Sequence, residues 1–260
     1  MERVIKGMTD NNLAQLILEV AQTTVTDFSL ARRGLRLLPA EVGRLKNLVR
    51  FNVSENELTH LPPEIGELQN LNWLGLYHNQ LKALPAEIGR LTGLIDLFAW
   101  ENELTSLPPE IGALVNLRQL LLPKNRLAHL PAELGRLTGL RRLNLYFNRL
   151  TSVPPEMGLL VNLQELKLSD NQLAQLPAEI GRLVNLQELD LSGNQLAKLP
   201  SEIGQLGQLR KLNLWGNQLA TIPAEIGQLQ NLTHLRLGGN QIRHLPPELS
   251  QLPRLAVLDI

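Results

Sequence analysis

A step of 23 residues runs through this sequence without an insertion or a deletion. Asn recurs at 56, 79, 102, 125, 148, 171, 194, 217 and 240, and Pro at 39, 62, 85, 108, 131, 154, 177, 200, 223 and 246. Ten units fill Val25 to Arg254, and a six-residue partial unit, LAVLDI, follows them. The shared pattern is LxxLxLxxNxLxxLPxEIGxLxN. A period of this length constrains the fold strongly. No single unit buries its own Leu stripe, so a core forms only when neighbouring units stack.

Each part of the pattern has a physical task. LxLxx alternates with period two, which sends its two Leu to one side of a strand and their neighbours to the other. The Asn can satisfy backbone groups where the chain leaves the strand, and stacked repeats would form a ladder of such bonds. Pro fixes φ and starts a short return segment. The Glu two residues later occurs in all ten units and would sit in the first turn of a brief helix, where a carboxylate is favoured. Gly at 43, 66, 89, 112, 135, 158, 181, 204 and 227 is then expected to end that helix through a left-handed φ.

The pattern resembles the leucine-rich-repeat class over Val25 to the end of the chain. Its LPxEIGxL form is similar to the plant intracellular Ras-group repeats, the Ras-suppressor type and the repeat domains of bacterial Roco GTPases. That resemblance implies an α/β solenoid, a curved horseshoe with a parallel sheet on its concave face and short helices on its convex face. It also implies a module that binds other proteins through the concave sheet.

Residues 1–24 read as an N-terminal helical cap and residues 25–260 as the repeats, ten in 25–254 and a partial one in 255–260. In MTDNNLAQLILEVAQ, Thr9 is the expected N-cap, with Met8 and Leu13 as a staple. Leu13, Leu16, Ile17, Val20 and Ala21 fall on one helical face. The first repeat carries Arg33 where the Asn belongs, as an atypical terminal unit can. The last residues stop inside an eleventh strand, and a bare solenoid end exposes Leu and unpaired strand groups. A longer parent protein is therefore expected.

Because the repeats align themselves, departures from the pattern are readable. The third, fifth, seventh and eighth positions of LxxLxLxxN should face the concave side. Of nine aromatic residues, Phe28 and Phe51 replace inward Leu, whereas Trp73, Tyr77, Phe98, Trp100, Tyr146, Phe147 and Trp215 occupy concave positions. In LIDLFAWENEL the inward Leu has become Ala99, flanked by Phe98 and Trp100. A one-residue slip would turn those rings inward, but it would break the unchanged spacing of Asn102, Leu104 and Leu107. The rings are expected to point outward. Tyr77, Trp100, Pro123 and Tyr146 would then form one column about 15 Å long, with Trp73, Phe98, Leu121, His78 and Phe147 beside it. An exposed aromatic patch of this kind marks a binding surface. The later repeats offer a polar arm instead, with an acidic patch around Glu165, Glu188 and Asp190, and with Trp215 beyond it.

The remaining composition narrows the function. Lys+Arg and Asp+Glu stand at 25 each, a balance that argues against nucleic acid as partner. There is no Cys, which fits a reducing compartment and excludes thiolate chemistry in the chain. No signal peptide and no membrane span is evident, so a cytoplasmic protein without membrane contact is expected. His60, His129 and His244 share a repeat position but lie too far apart for one metal, and HExxH, GxSxG and GxxxxGK[ST] are absent. No catalysis, cofactor or metal is expected. The expectation is a protein- or peptide-binding module. Its alternatives are the sensor domain of a larger signalling protein of the Roco kind, or a solenoid that forms a homodimer through its concave face or open C-terminal end.

Overall fold

The computed structural model describes residues 10–260, so the expected cap at Thr9 and staple at Met8 lie outside the described residues. The chain divides into two compact units, one ending at Arg126 and the other beginning at Leu127.

In the first unit, helix α1 (Asp10–Ala21) precedes strands β1 (Asp27–Ser29), β2 (Arg50–Asn52), β3 (Trp73–Gly75), β4 (Asp96–Phe98) and β5 (Gln119–Leu121). All pair in parallel with the repeat as their register, so that Asp27, Arg50, Trp73, Asp96 and Gln119 form one row. Leu13 and Ile17 of α1 are buried, and the helix packs on the first return segment, as a cap should. Phe28 stacks on Phe51 at 6.2 Å and so fills the inward Leu positions of the first two strands.

The second unit repeats the scheme. Strands β6 (Arg142–Asn144), β7 (Glu165–Lys167), β8 (Glu188–Asp190), β9 (Lys211–Asn213), β10 (His234–Arg236) and β11 (Val257–Asp259) pair in parallel and in step. In both units the inward Leu of each strand and the Ile and Leu of the return segment form a continuous core. Leu74, Leu76, Ile88 and Leu91, for example, are all fully buried. Burying each such side chain contributes about 1.5–3 kcal/mol.

The asparagines form the expected ladder. Asn79 accepts the Leu58 N–H at 3.0 Å and donates to the carbonyls of Val53 and Leu76 at 3.0 Å, one in the preceding repeat and one in its own. Asn171 and Asn194 repeat this pattern in the second unit. A second ladder runs along the opposite edge, where Asn47, Asn70, Asn185 and Asn231 each donate to a carbonyl 24 residues earlier. In the first repeat, Arg33 takes no ladder role, but its own N–H donates to Asn56.

One expectation needs correction. The return segments are five-residue 3-10 helices such as Pro63–Glu67 and Ala178–Arg182, each opened by Pro with Glu in the first turn. Their glycines do not end the helix in a left-handed conformation. Among the described glycines, only Gly34, Gly193, Gly216 and Gly239 have positive φ. The repeat glycine is required instead by close stacking: a Cβ on Gly66 would lie 2.4 Å from the Glu87 carbonyl oxygen of the next repeat.

Left-handed geometry occurs elsewhere, at the residue before each ladder Asn. His78, Glu101, Lys124, Phe147 and Asp170 have φ between 51° and 54° there, and Gly193, Gly216 and Gly239 take over the position later.

Close stacking has a direct test. Gly66→Ala should lose about 1–3 kcal/mol in chemical denaturation, because backbone must move to admit the methyl group. Gly207→Ala has nothing within 4 Å of the added atom and should be neutral or stabilising by up to about 1 kcal/mol. Equal effects at the two sites would contradict the assignment.

Candidate functional site

Strand alternation decides what reaches solvent in the first unit. Leu74, Leu97 and Ala99 are fully buried, while Trp73, Phe98 and Trp100 stand half-exposed on the other side of the sheet. The aromatic residues around Ala99 therefore point outward, as the unchanged spacing requires. They form one contiguous group. Tyr77 stacks on Trp100 with centroids 4.1 Å apart and planes within 7°. Phe98 touches Trp100 at 5.5 Å, and Trp73 meets Phe98 edge-on at 5.6 Å. Leu121 is half-exposed in the register position next to Phe98.

Two neighbours hold Trp73 in place. The Arg50 guanidinium lies 4.4 Å from the centroid of the indole and also pairs with Asp27 at 3.3 Å. Gly75 leaves the space the ring occupies, since a Cβ there would come within 2.4 Å of the indole. Such packing restricts the rotamers open to Trp73.

Beside the rings, the left-handed positions carry a charged cluster. His78 Nδ1 lies 2.7 Å from Glu101 Oε2, and Lys124 donates to Glu101 Oε1 at 2.6 Å. Lys124, with smaller help from His78, holds the Glu101 carboxyl below the usual carboxylate range. Asp96, the register neighbour of Trp73, behaves in the opposite way. Burial pushes its carboxyl up, against a hydrogen bond from Gln119 and the charge of Arg50, and its Oδ1 is buried without a partner.

The second unit presents Tyr146 and Phe147 with ring centroids 5.8 Å apart, Phe147 being 57% exposed. Trp215 is 53% exposed and lies across Gly238, where a Cβ would come within 3.0 Å of its ring. The acidic patch expected at Glu165, Glu188 and Asp190 is not acidic as a whole. Glu165 takes Lys167 at 2.7 Å and Arg142 at 3.6 Å, and Glu188 takes Lys211. Among the described residues Asp190 makes no ion pair, but its Oδ1 accepts the Ser192 N–H at 3.1 Å and the Ser192 hydroxyl at 2.7 Å. Burial, together with the charge of Asp190, raises the carboxyl of Asp170. Lys167, Glu188, Asp190, Lys211, Asn213, His234 and Arg236 line a groove of about 330 Å³ on this sheet face.

Among the described residues, no three His, Cys, Asp or Glu side chains gather as metal ligands, and no helix is long and apolar enough to cross a membrane. The surface offers stacking, apolar contact and paired charge, which are means of recognition. The aromatic residues were visible in the sequence, but Arg50, Gly75, Gly238 and Asp96 were not singled out. Their signal is present in the repeat itself: each lies one repeat away from, or two residues beyond, a tryptophan on the same face.

Asp96 gives a test with a defined sign. Its folded pKa lies above the unfolded value, so the ionised carboxylate costs stability at neutral pH. The cost fades as pH falls through the folded value and is gone below the unfolded value near 3.9. Asp96→Asn should therefore stabilise the protein at pH 7 by no more than about 1 kcal/mol, with the gain vanishing toward pH 3. Denaturation of both proteins across this range would show it, and a gain independent of pH would refute it.

Known proteins place this architecture. A leucine-rich repeat region model matches residues 37–154, a leucine rich repeat model matches 138–196 and 207–260, and a two-copy repeat model matches 184–225. The chain is 39% identical to a leucine-rich-repeat protein of Leptospira interrogans, over 96% of this chain and 75% of that one, with a TM-score of 0.73. It is 30% identical to the ectodomain of the Arabidopsis thaliana receptor kinase GASSHO1/SCHENGEN3, solved in complex with CASPARIAN STRIP INTEGRITY FACTOR 2, over 92% of this chain and 35% of that one, with a TM-score of 0.70. A chain in the Drosophila Toll–Spatzle complex matches at 27% identity, over 94% of this chain and 34% of that one, with a TM-score of 0.80. This chain thus spans about a third of either of those two. No curated protein matches the sequence. With the stacked parallel strands, the Asn ladder and the 23-residue register, these matches show that the chain belongs to the leucine-rich-repeat family.

Proposed function

We propose that this chain is a non-catalytic interaction module that holds a protein or peptide on the solvent-facing side of its sheet. The contiguous ring group of Trp73, Tyr77, Phe98 and Trp100 carries this reading. Aromatic surface left on a sheet face, when the same strands bury their Leu fully, costs solubility and serves best as an anchor. Similar proteins of this family have been solved in complexes with protein or peptide ligands, which supports the reading. The absence of Cys favours a reducing, cytoplasmic setting.

A second reading is a regulatory domain within a larger signalling protein, of the kind the LPxEIGxL repeats of Roco GTPases represent. The feature that favours it is the helical cap α1 joined directly to the LPxEIGxL repeats.

The experiment is affinity capture from lysate of the source organism, with the chain and a Trp73→Ala/Trp100→Ala variant as baits. Circular dichroism should first show that both are folded. The variant should lose the captured protein, with affinity weakened roughly 30-fold or more per anchor. Equal retention by both baits would refute the anchor.

A further inference from the structure

Around the ring group of the first unit, the carboxylates divide into those that hold a cation and one that does not. Asp27 holds Arg50, Glu55 holds Arg32, and Glu101 holds Lys124 and His78. Asp96 makes no ion pair among the described residues. Arg50 is the cation whose charge reaches it, and Arg50 is already engaged by Asp27 and stacked over the Trp73 indole.

Nothing in the fold asks for a charge at this position. The same place in neighbouring repeats holds Arg50, Trp73 and Gln119, so the strand accepts a cation, a ring or an amide. The hydrogen bond that Asp96 accepts from Gln119 needs an oxygen, which an amide also supplies. The ionised group is a cost where it stands, because burial raises its carboxyl and its Oδ1 has no partner. A charge that costs stability without an internal task fits a role toward a ligand.

The neighbours of Asp96 select the chemistry of that ligand. Asp96 is the register partner of Trp73, about 4.8 Å away across the sheet, and Phe98 stands about 7 Å along the same strand on the same side. A cation held near a ring and a carboxylate gains from both. The chain contains this arrangement once already, since Arg50 lies 4.4 Å from the Trp73 centroid with Asp27 as counter-ion 3.3 Å away. An acidic side chain over Asp96 would be repelled. An apolar one would desolvate the carboxylate further and offer nothing in return.

We propose that the ring group of the first unit takes a peptide segment through a basic side chain, whose cation sits over Asp96 beside Trp73 and Phe98. The proposal rests on the protein-binding reading above and names the chemistry of the partner at that same surface.

The test selects random displayed peptides on the full chain, then measures synthesised peptides against the full chain, Asp96→Asn and Trp73→Ala/Trp100→Ala, after circular dichroism shows all three to be folded. Peptides that need the two tryptophans should share an Arg or a Lys. Such a peptide should bind Asp96→Asn about tenfold more weakly than the full chain. Its version with Gln at the basic position should bind those two proteins alike. Peptides that need the tryptophans but share no basic residue, or that bind Asp96→Asn undiminished, overturn the proposal and leave the aromatic anchor standing. If no selected peptide needs the tryptophans, the anchor and the proposal fall together.

Discussion

The buried Asn of each repeat is the interaction on which the rest depends. Where the chain leaves a strand, it strands carbonyl and N–H groups inside a stack that excludes water. An unpaired buried group of this kind costs about 1–3 kcal/mol. A single Asn side chain satisfies three of them, two in the preceding repeat and one in its own, as Asn79 does. The step of 23 residues is held without exception from Val25 to Arg254. That fixed step is also the strand register, and the register decides which residues share a row on the sheet face.

Function follows from what the ladder leaves free. With inward positions committed to Leu and turns committed to Asn, variation is confined to the outward positions of short strands. In the first unit these hold a packed aromatic group, pinned by Arg50 and seated over Gly75. In the second they hold charges, mostly paired within the row or across it. The two surfaces differ in chemistry although their backbones are the same.

Much of this was legible in the sequence. The period gave strands, ladder and outward aromatics directly, because Leu, Asn and Pro repeat with fixed spacing. Ala99 between Phe98 and Trp100 could be oriented from Asn102 and Leu107 alone. What stayed hidden depended on distances between repeats. Gly66 looks like a helix stop, and only the close approach of Glu87 shows that it is a packing residue. The left-handed residue before each Asn was signalled only by Gly193, Gly216 and Gly239, since His78 and Phe147 disguise the same backbone. Glu165 and Glu188 look acidic in a linear reading, because their cationic partners are two or 23 residues away.

All three tryptophans, Trp73, Trp100 and Trp215, lie on the solvent-facing side of the strands, so intrinsic fluorescence reports on that face and on no other. The most direct measurement is tryptophan emission and acrylamide quenching of the full chain, with and without a saturating captured partner that itself lacks tryptophan. If the sheet face is the binding surface, emission should shift to the blue and quenching should fall when the partner binds. Saturation with emission and quenching unchanged would place the partner elsewhere and contradict the account.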